Sequence, residues 1–159
     1  MFPWRIGKGI GHKDISNEDL ASVESILRHR FRDRSLLVEA LSHPSKNVGE
    51  AHPTYERLAW LGDALLYHIV SERLFEMNHG ASTKELHDLR EMYKKNLDLA
   101  KIGRGLGLER YMITGKSRSG QEHSDYMVAT MVEALIGAIS LESPKHATKF
   151  IQNNILILK

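Results

Sequence analysis

The chain has 159 residues, 42% hydrophobic and 26% charged, the balance of one globular domain with a sizeable core. It has no cysteine, which excludes a disulfide framework, a thiolate zinc site and a cysteine nucleophile. With 22 basic against 20 acidic residues and 9 histidines the net charge is only +2, so nucleic-acid binding requires a local basic patch; no apolar run is long enough to span a membrane.

Residues 1–14 hold Pro3 and several glycines with little periodicity and read as a flexible N-terminal arm. Arg5, Lys8 and Lys13 precede its first acid, as in a transit peptide, but without an amphipathic helix. Residues 15–159 read as one domain, helix after helix. Ser16 with Asp19 resembles a capping box and opens a helix to about His29. A short helix over Ser35 to Ser42 stops before Pro44, and Lys46 to Pro53 is a loop. Thr54 is the expected cap of a long helix from Tyr55 to Met77. Ser82 and Glu85 form a capping box opening a helix to about Tyr93, and Asn96 to Gly103 is a short helix. After a polar loop, Gly115 to His123, Ser124 or Asp125 caps an apolar helix to Leu141, and Pro144 fits the first turn of the last helix. Strand alternation is nearly absent, so the fold class is all-α.

Two acids stand where acids are unexpected. Asp63 lies in the mostly apolar run Leu58 to Leu66, and Glu133 in the run Met127 to Ile139, apolar except for Thr130 and Glu133 itself. Burying an unpaired carboxylate is unfavourable by several kcal/mol or forces it to take up a proton, so both acids are expected to share a partner. A hard divalent cation suits them, because Mg²⁺ takes oxygen ligands and keeps several waters. Glu56, Ala59 and Asp63 share one helical face, as do Thr130 and Glu133, while Gly62 and Gly137 leave room for a close helix crossing. The competing reading is that each acid caps a neighbouring helix or pairs with a buried Arg or His, and spacing alone does not separate the two.

At these residues the sequence resembles the ribonuclease III catalytic domain. Tyr55-Glu56-Arg57-Leu58-Ala59-Trp60-Leu61-Gly62-Asp63-Ala64 is similar to that family's signature block, and Phe31 to Ser45 and Glu133 to Ile139 are similar to two further blocks. Gly105-Leu106-Gly107-Leu108 and Gly115-Lys116 also fall where the family expects them. The resemblance covers about residues 20 to 142. It implies the ribonuclease III endonuclease-domain fold and a Mg²⁺ site (Mn²⁺ as the substitute) for hydrolysing RNA phosphodiesters. The family's four carboxylates are reduced to two, Asp63 and Glu133, with Ala59 and Thr130 at the other positions. The small Mini-III branch, which lacks an appended double-stranded RNA-binding domain, is similar at both departures, and no such domain is expected here.

The resemblance thus implies a Mg-dependent endoribonuclease acting on double-stranded or structured RNA, with Asp63 and Glu133 as catalytic and metal-holding residues. Glu56 or Thr130 would act at most through water, and for Glu56 a salt bridge to Arg57 or Arg90 is favoured. The alternative is a catalytically silent RNA-binding or ribosome-associated protein. Between Lys94 and Arg118 seven basic residues face two acids, and Lys94, Lys95, Lys116 and Arg118 are the candidate RNA contacts. His43 is read as a structural hydrogen-bonding residue. The family's symmetric dimer implies a homodimer here, with Trp60 and Leu61 as plausible contacts. No membrane association is expected, and localisation is intracellular, the compartment (cytoplasm, nucleus or mitochondrion) left open.

Overall fold

Helix α6, Asp125–Glu142, forms the axis of the molecule, and its apolar circumference explains why. A helix hydrophobic on all sides must be covered on all sides; α2 (Arg34–Leu41), α3 (Glu56–Met77), α5 (Leu99–Gly105) and α7 (Pro144–Asn154) pack around it, leaving Val128, Met131, Leu135, Ile136 and Ile139 inaccessible. Helix α1 (Asn17–Leu27) packs on α2, and α4 (Thr83–Asn96) lies along α3. The computed structural model describes residues 15–46, 52–118 and 120–156, without the side chains of Lys95 and Asn96. The expected arm, residues 1–14, lies outside the described residues.

The closest approach is between α3 and α6. A Cβ on Gly62 would stand 1.8 Å from the Glu133 carbonyl oxygen, and one on Gly137 would stand 2.1 Å from that of Leu58. Neither position has room for a side chain, so the two backbones touch. This crossing fixes the neighbouring residues Asp63 and Glu133 relative to each other.

The helical class is as expected, and among the described residues there is no strand, only an isolated parallel bridge between Ser42 and Ile113. Several boundaries differ for local reasons. Helix α1 ends at Leu27 because Arg28 turns left-handed at φ 50°, donating its N–H to Glu24 and Ser25. Thr54 does not cap α3; Tyr55 holds the cap position without a side-chain bond, and the Thr54 hydroxyl donates to the Glu56 carboxylate. Helix α5 begins at Leu99 because Asp98 accepts the Lys101 N–H as its cap. The capping box of Ser82 and Glu85, and the Ser124 cap of α6, stand as expected.

Candidate functional site

Beside the crossing of α3 and α6, the end of α4 and the start of α5 leave a cleft of about 610 Å³. Asp63 and Glu133 both line it, from helices that approach through Gly62 and Gly137, and Lys94 reaches it from the last turn of α4. The Lys94 ammonium is 3.4 Å from Asp63 Oδ1. Burial first, and then the negative charge of Asp63, push the Glu133 carboxyl up to about 7, while Lys94 draws it partly back. Among the described residues no hydrogen bond satisfies Glu133. The two acids therefore face one cleft and repel one another, and among the described residues Lys94 compensates them.

The surroundings correct the expectation of an oily interior. The Asp63 side chain is 41% exposed, and Glu133 is only partly buried. The apolar residues flanking Asp63 serve packing around the helix, not a closed shell over the acid. Asp98, Asp125 and Tyr126 also line the cleft. Asp98 is engaged as the α5 cap, and Asp125 is held by the Arg104 guanidinium, but Tyr126 is 77% exposed at the rim. Sequence reasoning missed these three; the cap geometry of Asp98 was the one local signal available.

Other singled-out residues fall elsewhere. Thr130 is buried, and its hydroxyl donates to the Tyr126 carbonyl 2.8 Å away, one turn back along α6. Glu56 lies two turns from Asp63 and lines a second groove with Glu39, Arg57, Trp60, Leu61 and Leu141, so it does not reach the cleft. It is not bridged to Arg90, whose guanidinium sits 3.9 Å from the Tyr67 ring centre and donates to the Ser71 hydroxyl. The side chain of Lys95 lies outside the described residues.

Lys116 and Arg118 sit on a one-turn 3-10 segment whose base is pinned. Gly115 donates its N–H to the Ser45 hydroxyl and lies so close that a Cβ would meet the Ser45 carbonyl oxygen at 2.0 Å. Ser45 in turn bonds the His43 ring at Nδ1, and the His43 N–H donates to Ile113. His43 is thus a structural link between two loops. Lys116 is exposed, and Arg118 lies against Met127. The basic segment is less open than its charge count suggests, because Arg104 is bound by Glu109, Asp125 and the His123 carbonyl, and Arg110 by Gly107.

The donor set bears on which ion the cleft can hold. Among the described residues no group of three or more His, Cys, Asp or Glu is placed to hold a metal. Two converging carboxylates do not make an all-protein cage, but they fit a hard divalent cation that keeps most of its waters.

Comparison with known proteins agrees with this fold. The family model described as ribonuclease-III-like matches residues 33–158. The chain belongs to the ribonuclease-III-like family. Within it, the sequence is 34% identical over 119 residues to ribonuclease 3 of Francisella tularensis subsp. novicida, covering 75% of this chain and 50% of that relative. A ribonuclease 3 of Francisella tularensis subsp. tularensis matches over the same shares. The chain thus spans about half the length of the curated relatives it matches. Two structures of the ribonuclease III nuclease domain from Campylobacter jejuni superpose with TM-scores of 0.72 and 0.71 at 29% identity, covering 84% and 85% of this chain and 93% and 92% of theirs. Among the described residues of this ribonuclease-III-like chain, no helix is long and apolar enough to cross a membrane.

Proposed function

We propose that this protein is an endoribonuclease that hydrolyses phosphodiesters of double-stranded or structured RNA with Mg²⁺, or Mn²⁺ in its place. The observation that carries the reading is the convergence of Asp63 and Glu133, from distant parts of the chain, on one open cleft in a ribonuclease-III-like fold. Their carboxylates would hold the divalent cation, which supplies a more acidic water and stabilises charge developing on the phosphoryl group. Asp63 and Glu133, fixed by the α3–α6 crossing, would hold that cation in place. Lys94 in the cleft and Lys116 and Arg118 on the pinned loop attract the RNA backbone, and that attraction weakens steeply with salt. Glu133 carries a proton below about pH 7, so activity at limiting Mg²⁺ rises with pH through that region, and higher Mg²⁺ shifts the rise to lower pH.

A homodimer belongs to the same proposal. Trp60, 77% exposed, and Leu61 line an apolar groove of about 560 Å³ beside the first turns of α3, a surface suited to isologous pairing. A Campylobacter jejuni nuclease domain of this family is described as having a region involved in dimer formation.

The deciding experiment is cleavage of a labelled RNA duplex at graded Mg²⁺. Asp63→Asn and Glu133→Gln are each expected to slow cleavage about a hundredfold or more, and undiminished cleavage by both removes these residues from the reaction. The pairing of Asp63 with a lysine, and the loss of acids at Ala59 and Thr130, favour a second reading: a silent RNA-binding or ribosome-associated protein. Salt-sensitive duplex binding with no product at any Mg²⁺ level would select it.

A further inference from the structure

We propose that Lys94 is a resident counter-cation of the cleft, holding Asp63 until a divalent cation takes that carboxylate and then turning to an RNA phosphate. This rests on the metal-dependent reading above and assigns a residue-level device to it. The Lys94 ammonium is 3.4 Å from Asp63 Oδ1 and also lies 5.2 Å from the centre of the Tyr67 ring, one turn along α3 from Asp63. The preceding cation on the same face of α4, Arg90, is tied to Tyr67 and Ser71, one and two turns along α3 from Asp63. Lys94 is half exposed, so its ammonium can leave Asp63 without being stranded from water.

A divalent cation on Asp63 and an ammonium at the same oxygen repel each other, so the two compete. Charge balance gives the competition a use. With both acids ionised, Asp63, Glu133 and Lys94 sum to one negative charge, which opposes a phosphate. Adding a divalent cation makes the sum one positive charge, which matches one phosphodiester. Without Lys94 the loaded cleft is neutral. Asp125 is offset by Arg104, and Asp98, which caps α5 but keeps its charge, adds the same negative unit to each of these sums, so the difference made by Lys94 stands. Lys94 therefore weakens metal binding and strengthens phosphate binding, and its removal moves the two in opposite directions.

The test measures Mn²⁺ affinity by electron paramagnetic resonance of the free ion, and duplex affinity of the Mn²⁺-loaded protein by fluorescence anisotropy before product accumulates. Lys94→Met is expected to tighten Mn²⁺ binding about threefold to tenfold, the scale of a partly exposed ion pair, and to weaken duplex binding. Lys94→Arg, which keeps the charge, stays near wild type in both. Unchanged or weaker Mn²⁺ binding in Lys94→Met, with wild-type binding that Asp63→Asn abolishes, overturns the role of Lys94 alone. Absence of Mn²⁺ binding in the wild type, or binding that survives Asp63→Asn, overturns the metal reading and this proposal with it.

Discussion

Glu24 and Glu133 show two ways of taking a carboxylate out of water. Glu24, on α1, is 7% exposed and accepts the Phe31 N–H and two bonds from the Arg34 guanidinium, at 3.0, 3.2 and 2.7 Å. Burial alone would raise its pKa, but the Arg34 and Phe31 hydrogen bonds, with the charges of Arg34 and Arg30, outweigh burial and leave it below the ordinary value. Glu142 has a similar place at the same corner, accepting the N–H groups of Arg32 and Asp33. Glu133 is more open, has no hydrogen bond among the described residues, faces a second acid, and is pushed up to about 7. Where an acid fastens two helices together, its lone pairs are occupied and its charge is stabilised. Where it lines the cleft, its lone pairs are left for something outside the chain.

Four substitutions sharpen or break that contrast. The largest effect belongs to the crossing that positions both cleft acids. Gly62→Ala drives a methyl into the Glu133 carbonyl and is expected to destabilise the fold by about 3 kcal/mol in denaturant unfolding. Glu24→Ala strips Arg34 and Phe31 of their acceptor and lowers stability by about 2–3 kcal/mol at neutral pH. Because the folded-state pKa of Glu24 is depressed, its charge-dependent contribution is complete above the unfolded value and is lost as pH falls through the folded one, so the gap narrows in acid.

Glu133→Gln should do the reverse. The folded-state pKa of Glu133 lies above its unfolded value, so protonation favours the fold; that contribution is complete at low pH and lost as pH rises to about 7. In metal-free buffer the Gln variant is therefore more stable than wild type by about 2 kcal/mol at alkaline pH, after discounting for partial exposure, and equal to it in acid, as melting curves at the two pH values will show. Trp60→Ala has the smallest effect on the fold, within about 0.5 kcal/mol for an exposed side chain, while sedimentation should show weakened self-association.

The helices were legible because their signals are local. Ser82 with Glu85 and Ser124 sit at the ends they cap, Pro144 stands in the first turn of α7, and the apolar circumference of α6 pointed to a buried helix. Gly62 and Gly137 left room for the crossing, but spacing alone did not decide whether Asp63 and Glu133 face one cleft. The depth of the site was not legible. Apolar neighbours around Asp63 record packing on several sides of α3, and only the tertiary arrangement of α4 and α5 leaves the acid facing an opening. Pairings between distant residues were also hidden. Nothing local to Lys94 points to Asp63, and nothing local to Arg104 shows that Glu109, Asp125 and His123 engage it and so subtract it from the basic surface.

The most direct test of the cleft as a cation site is a carbon NMR titration of the Glu133 carboxyl, with and without Mg²⁺. The account predicts a midpoint of about 7 in metal-free protein, falling by about one unit or more with Mg²⁺, and insensitive to Mg²⁺ in Asp63→Asn. A midpoint in the ordinary glutamate range, or one that Mg²⁺ leaves in place, would contradict it.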